Sequence, residues 1–542
     1  MEEKKQILGI DLGTTYSCVA VVNEYGQPQV LVNREGKLTT PSVVSFEDEN
    51  AVDLLVGEHA KNRWHSAPEQ TVSFIKRHMT KDKSFTNPEK FPHGWDPVKF
   101  SAAILKKLVT DANETLGREE NPIKDVVITC PAYFGHVARE RTKQAGKEAG
   151  LNVLDIIDEP TAAAISYGIK QDQDQTVLVY DLGGGTFDVT ILKITGNTFE
   201  VIATEGDPVC GGYDWDEELA KRILDIYNEK HHTDFKFPLS KDEALEDKTL
   251  KADPKIQRMR ASLLMEAERL KIALNTSKIG SAETTWLFEE DGRSCPRSVI
   301  TRKEFDDLTS AHLSYTIGYV HKVIQEAEKK GVNHIDKWIL VGGSSRMLQV
   351  KERFDEEFGC NAMLTDPDHC VAKGAAIYAA TEFAGTGPLR NGKTINIKTV
   401  CTKTYGTDIS DDGVKKVRNL IFANTTLPID ETVDFRTVYD GQREVSMEIY
   451  ESNVTDARCT VIPIPPARLI NKDNFLKIKS DLPAGSKISV TFHFDQTGFI
   501  HVSAKAEDGS VCEFELKADG LKSEDELARD KKLIERATEK NI

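Results

Sequence analysis

The segment 177-VLVYDLGGGTFDVTILKI-194 predicts a β-strand, a glycine-rich turn and a second strand. Its chemistry-bearing residues are two carboxylates, three glycines and one threonine, at Asp181, Asp188, Gly183, Gly184, Gly185 and Thr186. Glycines permit a tight turn and leave room for a ligand. The bare amides of such a turn can bind phosphate oxygens, and two nearby carboxylates can hold Mg²⁺ directly or through water. Taken alone, the segment is equally consistent with a hairpin that carries surface aspartates.

The same pattern occurs once before, near the N-terminus. Residues 7-ILGIDLGTTYSCVAVV-22 contain an apolar strand, then Asp11, Gly13, Thr14 and Thr15, and then an alternating apolar strand. The shared core is D-L-G followed by two residues that are each threonine or glycine. An internal duplication of this kind predicts two similar lobes, each with one phosphate-facing hairpin.

Length and composition limit the class of protein. The 542 residues predict about three or four domains of ~100–200 residues each. The net charge of −17 argues against a nucleic-acid partner, because a surface that follows phosphates needs clustered Lys and Arg. No apolar run approaches the ~18–20 residues that span a bilayer, so no membrane partner is expected. Nine cysteines without a C-x-x-C pair, and an N-terminus that is not a secretory signal, predict a cytoplasmic location.

Several segments around the two hairpins carry candidate residues that also have ordinary explanations. Lys76 lies in 71-TVSFIKRHM-79, and a lone lysine in such a segment is normally solvated. Asp158 and Glu159 precede Pro160 at the start of an Ala-rich helix, where carboxylates are also common caps. A third strand-to-glycine turn, 338-WILVGGSSRMLQV-350, contains Gly342, Gly343 and Arg346.

Helical spacing predicts helices at 98–116, 214–230 and 254–274, and a final helix of this region within 366–383. Gly211 and Gly212 precede the second of these helices. In the third, Glu268 and Lys271 lie on the polar side, where an i,i+3 salt bridge is the default expectation.

From about residue 399 the sequence becomes all-β, with alternating strands and Asp-Gly turns that predict an antiparallel sandwich of roughly 120 residues. Just before it, 387-GPLRNGKT-394 matches the P-loop expression but lacks the strand-to-helix context, so we interpret it as a linker. The tail opens with the capping box Ser523-x-x-Glu526 and predicts a helix.

These motifs together resemble the 70-kDa heat-shock chaperones of the DnaK type. The matching stretches are GIDLGTTYSCVAVV, TTPSVVSF, FIKR, VVITCPAYF, DEPTAAAISYG, VYDLGGGTFDVT, LVGGSSRM and GFIHVSAKAEDGS, in the family's order from about residue 7 to 520. The resemblance implies an α/β actin-like ATPase domain with duplicated ribonuclease-H-like lobes, an all-β sandwich that binds peptide, and a short C-terminal helix. The implied boundaries are 1–385 for the ATPase domain, 386–398 for the linker, 399–520 for the sandwich and 521–542 for the start of a truncated helical lid.

The resemblance also implies the site residues. The catalytic residues would be Lys76, Asp11, Asp188, Glu159 and Thr186, and Asp11 and Asp181 would hold Mg²⁺ mostly through water, with K⁺ as a further candidate ion. The residues that bind ATP or ADP would be Gly13, Thr14, Thr15, Tyr16, Gly183, Gly184, Gly185, Thr186, Gly211, Gly212, Glu268, Lys271, Gly342, Gly343, Ser344, Arg346 and Asp368. The peptide channel would include Phe435, Val438, Val445 and Met447, although each of these is also compatible with ordinary sandwich core.

The function implied is that of an ATP-dependent chaperone, which binds exposed apolar segments of unfolded polypeptides and uses slow ATP hydrolysis to control their release. A J-domain cochaperone and a nucleotide-exchange factor are the further partners implied. Two departures keep a second hypothesis open, that of a non-catalytic ATP-gated binding module: the aligned linker INIKT (395–399) lacks an acidic residue, and the lid is truncated. Separately, Asp155 occupies a position that is usually basic, where it should repel an acidic J-domain. A small-molecule kinase of the same fold is disfavoured by the all-β region.

Overall fold

The computed structural model describes residues 5–47, 53–81, 95–168, 174–237, 254–276, 280–288, 292–295, 297–386, 394–411, 414–454, 460–464, 467–471, 474–496, 498–516 and 522–538. The P-loop-like segment, apart from Thr394, and most of the predicted linker lie outside these residues.

The first lobe is built around the N-terminal hairpin. Its strands are β1 (Leu8–Asp11), β2 (Tyr16–Val22), β3 (Pro28–Val30), β4 (Thr40–Pro41), β5 (Val44–Phe46), β6 (Leu54–Val56), β7 (Thr71–Val72), β8 (Asp125–Cys130) and β9 (Asn152–Asp158). The main sheet has the order β3-β2-β1-β8-β9, in which β1 and β2 are antiparallel and β1, β8 and β9 are parallel. Its central strands β1, β2 and β8 are almost fully buried, as expected where a sheet is covered on both faces.

The second lobe repeats this topology. Its strands are β10 (Gln175–Leu182), β11 (Phe187–Thr195), β12 (Thr198–Asp207), β13 (Ser281–Thr284), β14 (Leu287–Phe288), β15 (Arg293–Ser294), β16 (Ser298–Thr301), β17 (Lys337–Val341) and β18 (Met363–Leu364). The order β12-β11-β10-β17-β18 corresponds strand for strand to β3-β2-β1-β8-β9, with the same directions. The predicted duplication is therefore confirmed.

Helices cover both sheets. They are α1 (Glu58–Arg63), α2 (Pro97–Thr115), α3 (His136–Glu148), α4 (Glu159–Gly168), α5 (Gly212–His231), α6 (Pro254–Thr276), α7 (Arg302–Lys329), α8 (Leu348–Phe358), α9 (Cys370–Phe383) and α10 (Glu524–Thr538). Asp96 caps α2 by accepting a hydrogen bond from the Lys99 amide, and Pro97 occupies the first turn. The predicted helix at 366–383 begins only at Cys370, because 367–369 form a turn. No helix among the described residues is long and apolar enough to span a membrane.

The C-terminal part is a β-sandwich. Strand β19 (Asn396–Lys398) precedes it and pairs with the second lobe. The strands that follow are β20 (Thr404–Asp411), β21 (Val414–Ile421), β22 (Ile429–Arg436), β23 (Glu444–Ser446), β24 (Ile449–Ser452), β25 (Val461–Pro463), β26 (Arg468–Leu469), β27 (Phe475–Lys477), β28 (Lys487–Phe494), β29 (Ile500–Ala506) and β30 (Val511–Glu515). The two principal sheets have the orders β25-β21-β20-β24-β26 and β22-β28-β29-β30. The alternating apolar residues of β28 face the core between them, as the sequence predicted.

The sandwich and the last helix pack against the ATPase lobes. Strand β19 adds to the edge of the second lobe's sheet, where Ile397 pairs with Phe199 of β12. The Tyr405 hydroxyl of the sandwich accepts a hydrogen bond from the His136 amide at the start of α3 (3.2 Å). Helix α10 contributes Ile534 and Ala537 to the core of the first lobe. The segment that leads into the sandwich therefore runs beside the sheets that carry the site.

Candidate functional site

The two duplicated hairpins meet tip to tip between the lobes. Asp11 ends β1, and Asp181 lies at the corresponding point of β10. A Cβ atom on Gly184 would lie 1.7 Å from Thr15 Oγ1, and one on Gly185 would lie 2.3 Å from Thr14 Cγ2. Because only a hydrogen fits in either place, these glycines allow the two turns to interlock.

The threonines of the first hairpin, Thr14 and Thr15, have buried hydroxyl groups without a hydrogen-bond partner among the described residues. A buried hydroxyl without a partner costs free energy, so native structures rarely leave one unsatisfied. Both groups therefore suit an oxygen-rich ligand such as a phosphate chain.

A buried ion pair lies beside these turns. Lys76, on the short 3-10 helix Ile75–His78, donates a hydrogen bond to the carboxylate of Glu159 at the start of α4. Burial opposes the charge of Lys76, but Glu159 and Asp11 outweigh it and raise the lysine pKa. Burial, and then the charge of Glu159, raise the pKa of Asp11 to about 7. Neither Lys76 nor Glu159 is thus the solvated or capping residue that the local sequence permits.

The second hairpin contributes two more buried carboxylates. Burial and the charge of Glu159 raise the pKa values of Asp181 and Asp188 well above the usual range. Asp181 and Asp188 are direct cross-strand neighbours in the β10–β11 hairpin, and the Tyr133 amide donates to Asp188 Oδ1 (3.3 Å). One lysine among four carboxylates leaves an excess of negative charge that a cation would offset.

A divalent cation fits this group through water. Among the described residues, no three His, Cys, Asp or Glu side chains are close enough together to ligate a metal ion directly. Mg²⁺ commonly keeps several waters and takes one or two carboxylates together with substrate phosphates. The donor set of Asp11, Asp181 and a phosphate chain therefore matches what Mg²⁺ requires.

The third glycine turn, which begins at Gly342, packs against the end of β10 at Asp181. Gly342 has φ of 82°, and a Cβ atom there would lie 2.4 Å from Asp181 Oδ1. The 3-10 helix Gly343–Arg346 follows, with Ser344 buried. Arg346 donates to Asp368 through both Nε (3.1 Å) and Nη2. A Cβ atom on Gly212 would lie 2.1 Å from Ser344 Oγ, so this turn meets the 211–212 loop.

Glu268 and Lys271 are not paired with each other, and the expected i,i+3 salt bridge is wrong. Glu268 forms an ion pair with Lys61 of the first lobe (2.6 Å), and Lys61 also donates to the Tyr16 hydroxyl (2.7 Å). Lys271 bonds Asp216 instead (2.8 Å). Tertiary partners replace the local one: Glu268 reaches Lys61 of the first lobe, and Lys271 reaches Asp216 of α5 within the second lobe.

Comparison with known proteins identifies the family. The sequence model described as "Hsp70 protein" matches residues 7–541. The chain belongs to the Hsp70 family. The Chaperone protein DnaK of Thermotoga petrophila is 38% identical over 544 residues, which are 98% of this chain and 83% of that protein. The Chaperone protein DnaK of Thermosipho africanus is 36% identical over 514 residues, which are 93% of this chain and 78% of that protein.

Family membership confirms the predicted fold class, an actin-like ATPase domain followed by a β-sandwich and a C-terminal helix. As an Hsp70, the chain is an ATP-dependent molecular chaperone: it binds nucleotide and unfolded polypeptide, and it is an ATPase that acts in protein folding.

The Hsp70 site also contains residues that sequence reasoning missed. Lys61 bridges the lobes at Glu268, and Arg77 bridges them at Asp214, where Arg77 Nη2 lies 3.2 Å from Asp214 Oδ2. Arg77 directly follows Lys76, and Asp214 lies two residues after the Gly211-Gly212 pair. Their closeness to these motifs is the one feature of the sequence that could have marked them as site residues.

The four peptide-channel candidates of the sandwich differ in burial. Met447 lies within the sandwich core, and Phe435 and Val445 are partly buried against it. Val438 is 81% exposed and is followed by the exposed Tyr439. The structure therefore places three of these side chains in or against the sandwich core and leaves Val438 at the surface, and their role in peptide binding stays a prediction.

Proposed function

We propose that this Hsp70 hydrolyses ATP between its two lobes, and that this slow reaction controls the binding and release of extended apolar polypeptide segments. The observation that carries the proposal is the buried Lys76–Glu159 pair beside the unsatisfied hydroxyls of Thr14 and Thr15. A transferring phosphoryl group needs positioning and charge stabilisation more than covalent chemistry, and this arrangement supplies both.

In the reaction, a water oxygen attacks the γ-phosphorus and the bond to the bridging β,γ-oxygen breaks, giving ADP and phosphate. The Lys76 ammonium stabilises charge on the transferring group. Glu159 and Asp188 accept hydrogen bonds from the attacking water, and the Thr186 hydroxyl lies beside it. Burial raises the pKa values of both Glu159 and Asp188, and a raised pKa makes a carboxylate a better proton acceptor.

The phosphates are held by backbone amides and hydroxyls of the two turns. The residues that we assign to them are Gly13, Thr14, Thr15, Tyr16, Gly183, Gly184, Gly185 and Thr186, with Gly211 and Gly212 at the second lobe. Asp11 and Asp181 hold Mg²⁺ mostly through water, and K⁺ is a further candidate for the same carboxylates. Mg²⁺ when bound neutralises phosphate charge.

The adenosine is assigned to the space between α6 and the third glycine turn. The residues are Glu268, Lys271, Gly342, Gly343, Ser344, Arg346 and Asp368. The contacts that support this are the Lys61–Glu268 bridge between the lobes and the Arg346–Asp368 pair beside the third glycine turn.

The domains follow the boundaries given above: an ATPase domain at 1–385, a linker at 386–398, a peptide-binding sandwich at 399–520 and a lid segment from 521. Within the sandwich, Phe435, Val438, Val445 and Met447 bind the apolar side chains of an extended peptide. Backbone pairing with a strand edge would add affinity that does not depend on peptide sequence.

Further partners and location complete the proposal. We propose a J-domain cochaperone and a nucleotide-exchange factor as partners, and a cytoplasmic location. The cysteines of the described part of the chain are free, which supports a reducing compartment. Asp155 accepts a hydrogen bond from Tyr378 (2.7 Å), so its carboxylate is held within the ATPase domain. Repulsion of an acidic J-domain by Asp155 remains a prediction.

The test is ATP turnover by the full chain and by Lys76→Ala, each with and without an apolar peptide. We expect the variant to bind nucleotide but to lose hydrolysis by at least about 100-fold, and we expect peptide to stimulate the parent. Lys303→Ala, an exposed lysine, is the matched control. Undiminished turnover in Lys76→Ala would refute the role of Lys76, and the absence of any turnover in the parent would favour the non-catalytic binding module.

A further inference from the structure

The segment that carries Lys76 reaches across to the second lobe at both of its ends. Phe74, just before it, has φ of 58°, a left-handed conformation that is uncommon for a bulky residue. Its ring packs edge-on against Tyr213 of the second lobe, with 4.4 Å between centroids and an interplanar angle of 74°. Trp64 packs behind Phe74 at 6.2 Å. A strained backbone held by packing is typical of a functional segment.

Arg77, just after Lys76, makes the second contact with the second lobe. Its side chain is 1% exposed, and Nη2 lies 3.2 Å from Asp214 Oδ2. Its guanidinium lies 5.8 Å from the centre of the Tyr213 ring. Its Nε and Nη1 atoms have no hydrogen-bond partner among the described residues. Asp214 is therefore the carboxylate that balances this buried charge, and the balance requires the lobes to be together.

The residues on the second lobe hold the phosphate loop. Asp214 Oδ2 also accepts a hydrogen bond from the Gly211 amide (2.7 Å). The Gly212 amide donates to Gly183 O (2.9 Å), and the Tyr213 amide donates to Gly184 O (2.8 Å). Residues 211–214 thus lie directly on the glycine turn of the second hairpin. Whatever fixes Tyr213 and Asp214 also fixes that turn.

We propose that Phe74 and Arg77 of the first lobe, with Tyr213 and Asp214 of the second, form an interlobe clasp that positions the phosphate-binding loops and sets the rate of nucleotide release. Lys76 lies between Phe74 and Arg77 in the chain, so opening the clasp also moves the catalytic lysine away from the phosphates. The clasp stands at the phosphate end of the site, apart from the Lys61–Glu268 bridge at the adenosine end. Phe74 and Arg77 are accordingly positioning residues.

The experiment measures two rates on the full chain: release of a fluorescent ADP analogue chased with unlabelled ATP, and hydrolysis in a single turnover. The variants are Phe74→Gly, Arg77→Met, Arg77→Lys, Asp214→Asn and the Arg77→Met/Asp214→Asn double variant. Phe74→Gly removes the ring while the left-handed backbone remains free of strain, so this variant should keep its fold. The controls are Tyr25→Ala, at an exposed position, and Arg353→Met, at a half-buried position on α8.

We expect Phe74→Gly and Arg77→Met to release ADP about tenfold faster, and to lose hydrolysis to a smaller extent. Arg77→Lys should release ADP more slowly than Arg77→Met, because lysine restores the positive charge although it lacks the planar guanidinium. The double variant should release ADP no faster than Arg77→Met alone, because the two residues act as one pair. Thermal unfolding without nucleotide should stay close to that of the parent in Phe74→Gly. The proposal is overturned if release in Phe74→Gly and Arg77→Met is within twofold of the parent, or if Arg77→Met and Asp214→Asn act additively in the double variant.

Discussion

Thr399 donates a hydrogen bond to Asp158 across 3.3 Å, and this contact joins the end of the linker to the residue beside Glu159. Asp158 is also bound by Arg139, and it directly precedes Glu159, the partner of Lys76. The carboxylate that contacts the linker and the one that pairs with the lysine therefore belong to adjacent residues. This short path is available although the linker lacks an acidic residue of its own.

Thr399→Val should weaken the communication between peptide and ATP hydrolysis. The substitution removes the hydroxyl without changing side-chain volume, and a lost hydrogen bond of this kind costs about 1 kcal/mol. We expect basal turnover to be unchanged and peptide stimulation to fall severalfold in a steady-state ATPase assay. Thr432→Val, which removes a hydroxyl from the exposed face of β22, is the control. Full stimulation in Thr399→Val would show that the path runs elsewhere.

Gly184→Ala should prevent the two hairpins from interlocking. The added Cβ atom would lie 1.7 Å from Thr15 Oγ1, so one turn must shift. Overpacking of this kind costs roughly 1–3 kcal/mol, and nucleotide affinity should fall about tenfold or more in an ADP titration. Gly318→Ala is a matched control, because nothing lies within 4 Å of its Cβ position on α7. That control should gain about 1 kcal/mol of stability from helix propensity. Unaltered affinity in Gly184→Ala would contradict the interlocked arrangement.

His136 should make the docking of the sandwich sensitive to pH. Its Nε2 lies 2.7 Å from Leu516 O of the sandwich, and burial lowers its pKa although Glu451, Glu515 and Asp495 face it. The docked state therefore binds fewer protons than a state in which the histidine is exposed. Docking should be fully stable above the ordinary histidine pKa of about 6.5, and should weaken progressively as the pH falls below it.

This dependence can be followed with a dye pair placed on the first lobe and on the sandwich, from pH 8 to pH 5. His136→Gln retains a side-chain donor but does not titrate, so docking of the sandwich in this variant should not change between pH 8 and pH 5. His334→Gln, at an exposed histidine, should behave like the parent. Equal pH dependence in His136→Gln and the parent would assign the effect to other groups.

Lys522→Met should release the C-terminal helix from the first lobe. Lys522 contacts Asp96 (2.8 Å), Glu148 (3.0 Å) and Asp530 (2.6 Å), and its side chain is 15% exposed. Loss of the only cation in contact with all three carboxylates in the described part of the chain should cost about 3 kcal/mol. Hydrogen exchange of 524–538 should become markedly faster. Lys532→Met, on the exposed face of the same helix, should leave exchange as it is. Continued protection in Lys522→Met would mean that Ile534 and Ala537 suffice to hold the helix.

The sequence by itself determined the elements whose signals are local. Two D-L-G hairpins, with glycines where chains approach closely, predicted two similar lobes, and the strand orders of the two sheets agree. Period-two alternation from residue 399 predicted the sandwich, since alternate side chains of a half-buried strand must be apolar. The ordered motifs were also sufficient to identify the family, which the comparison confirmed.

Only the tertiary structure decided which side chains meet. Lys76 and Glu159 are 83 residues apart, and Lys61 and Glu268 are 207 apart, so no periodic pattern connects them. For the same reason the local rule for Glu268 and Lys271 gave the wrong partner. A lysine or carboxylate has the same appearance in sequence whether it is solvated or buried, and its role is set by desolvation and by the charges that the fold brings to it.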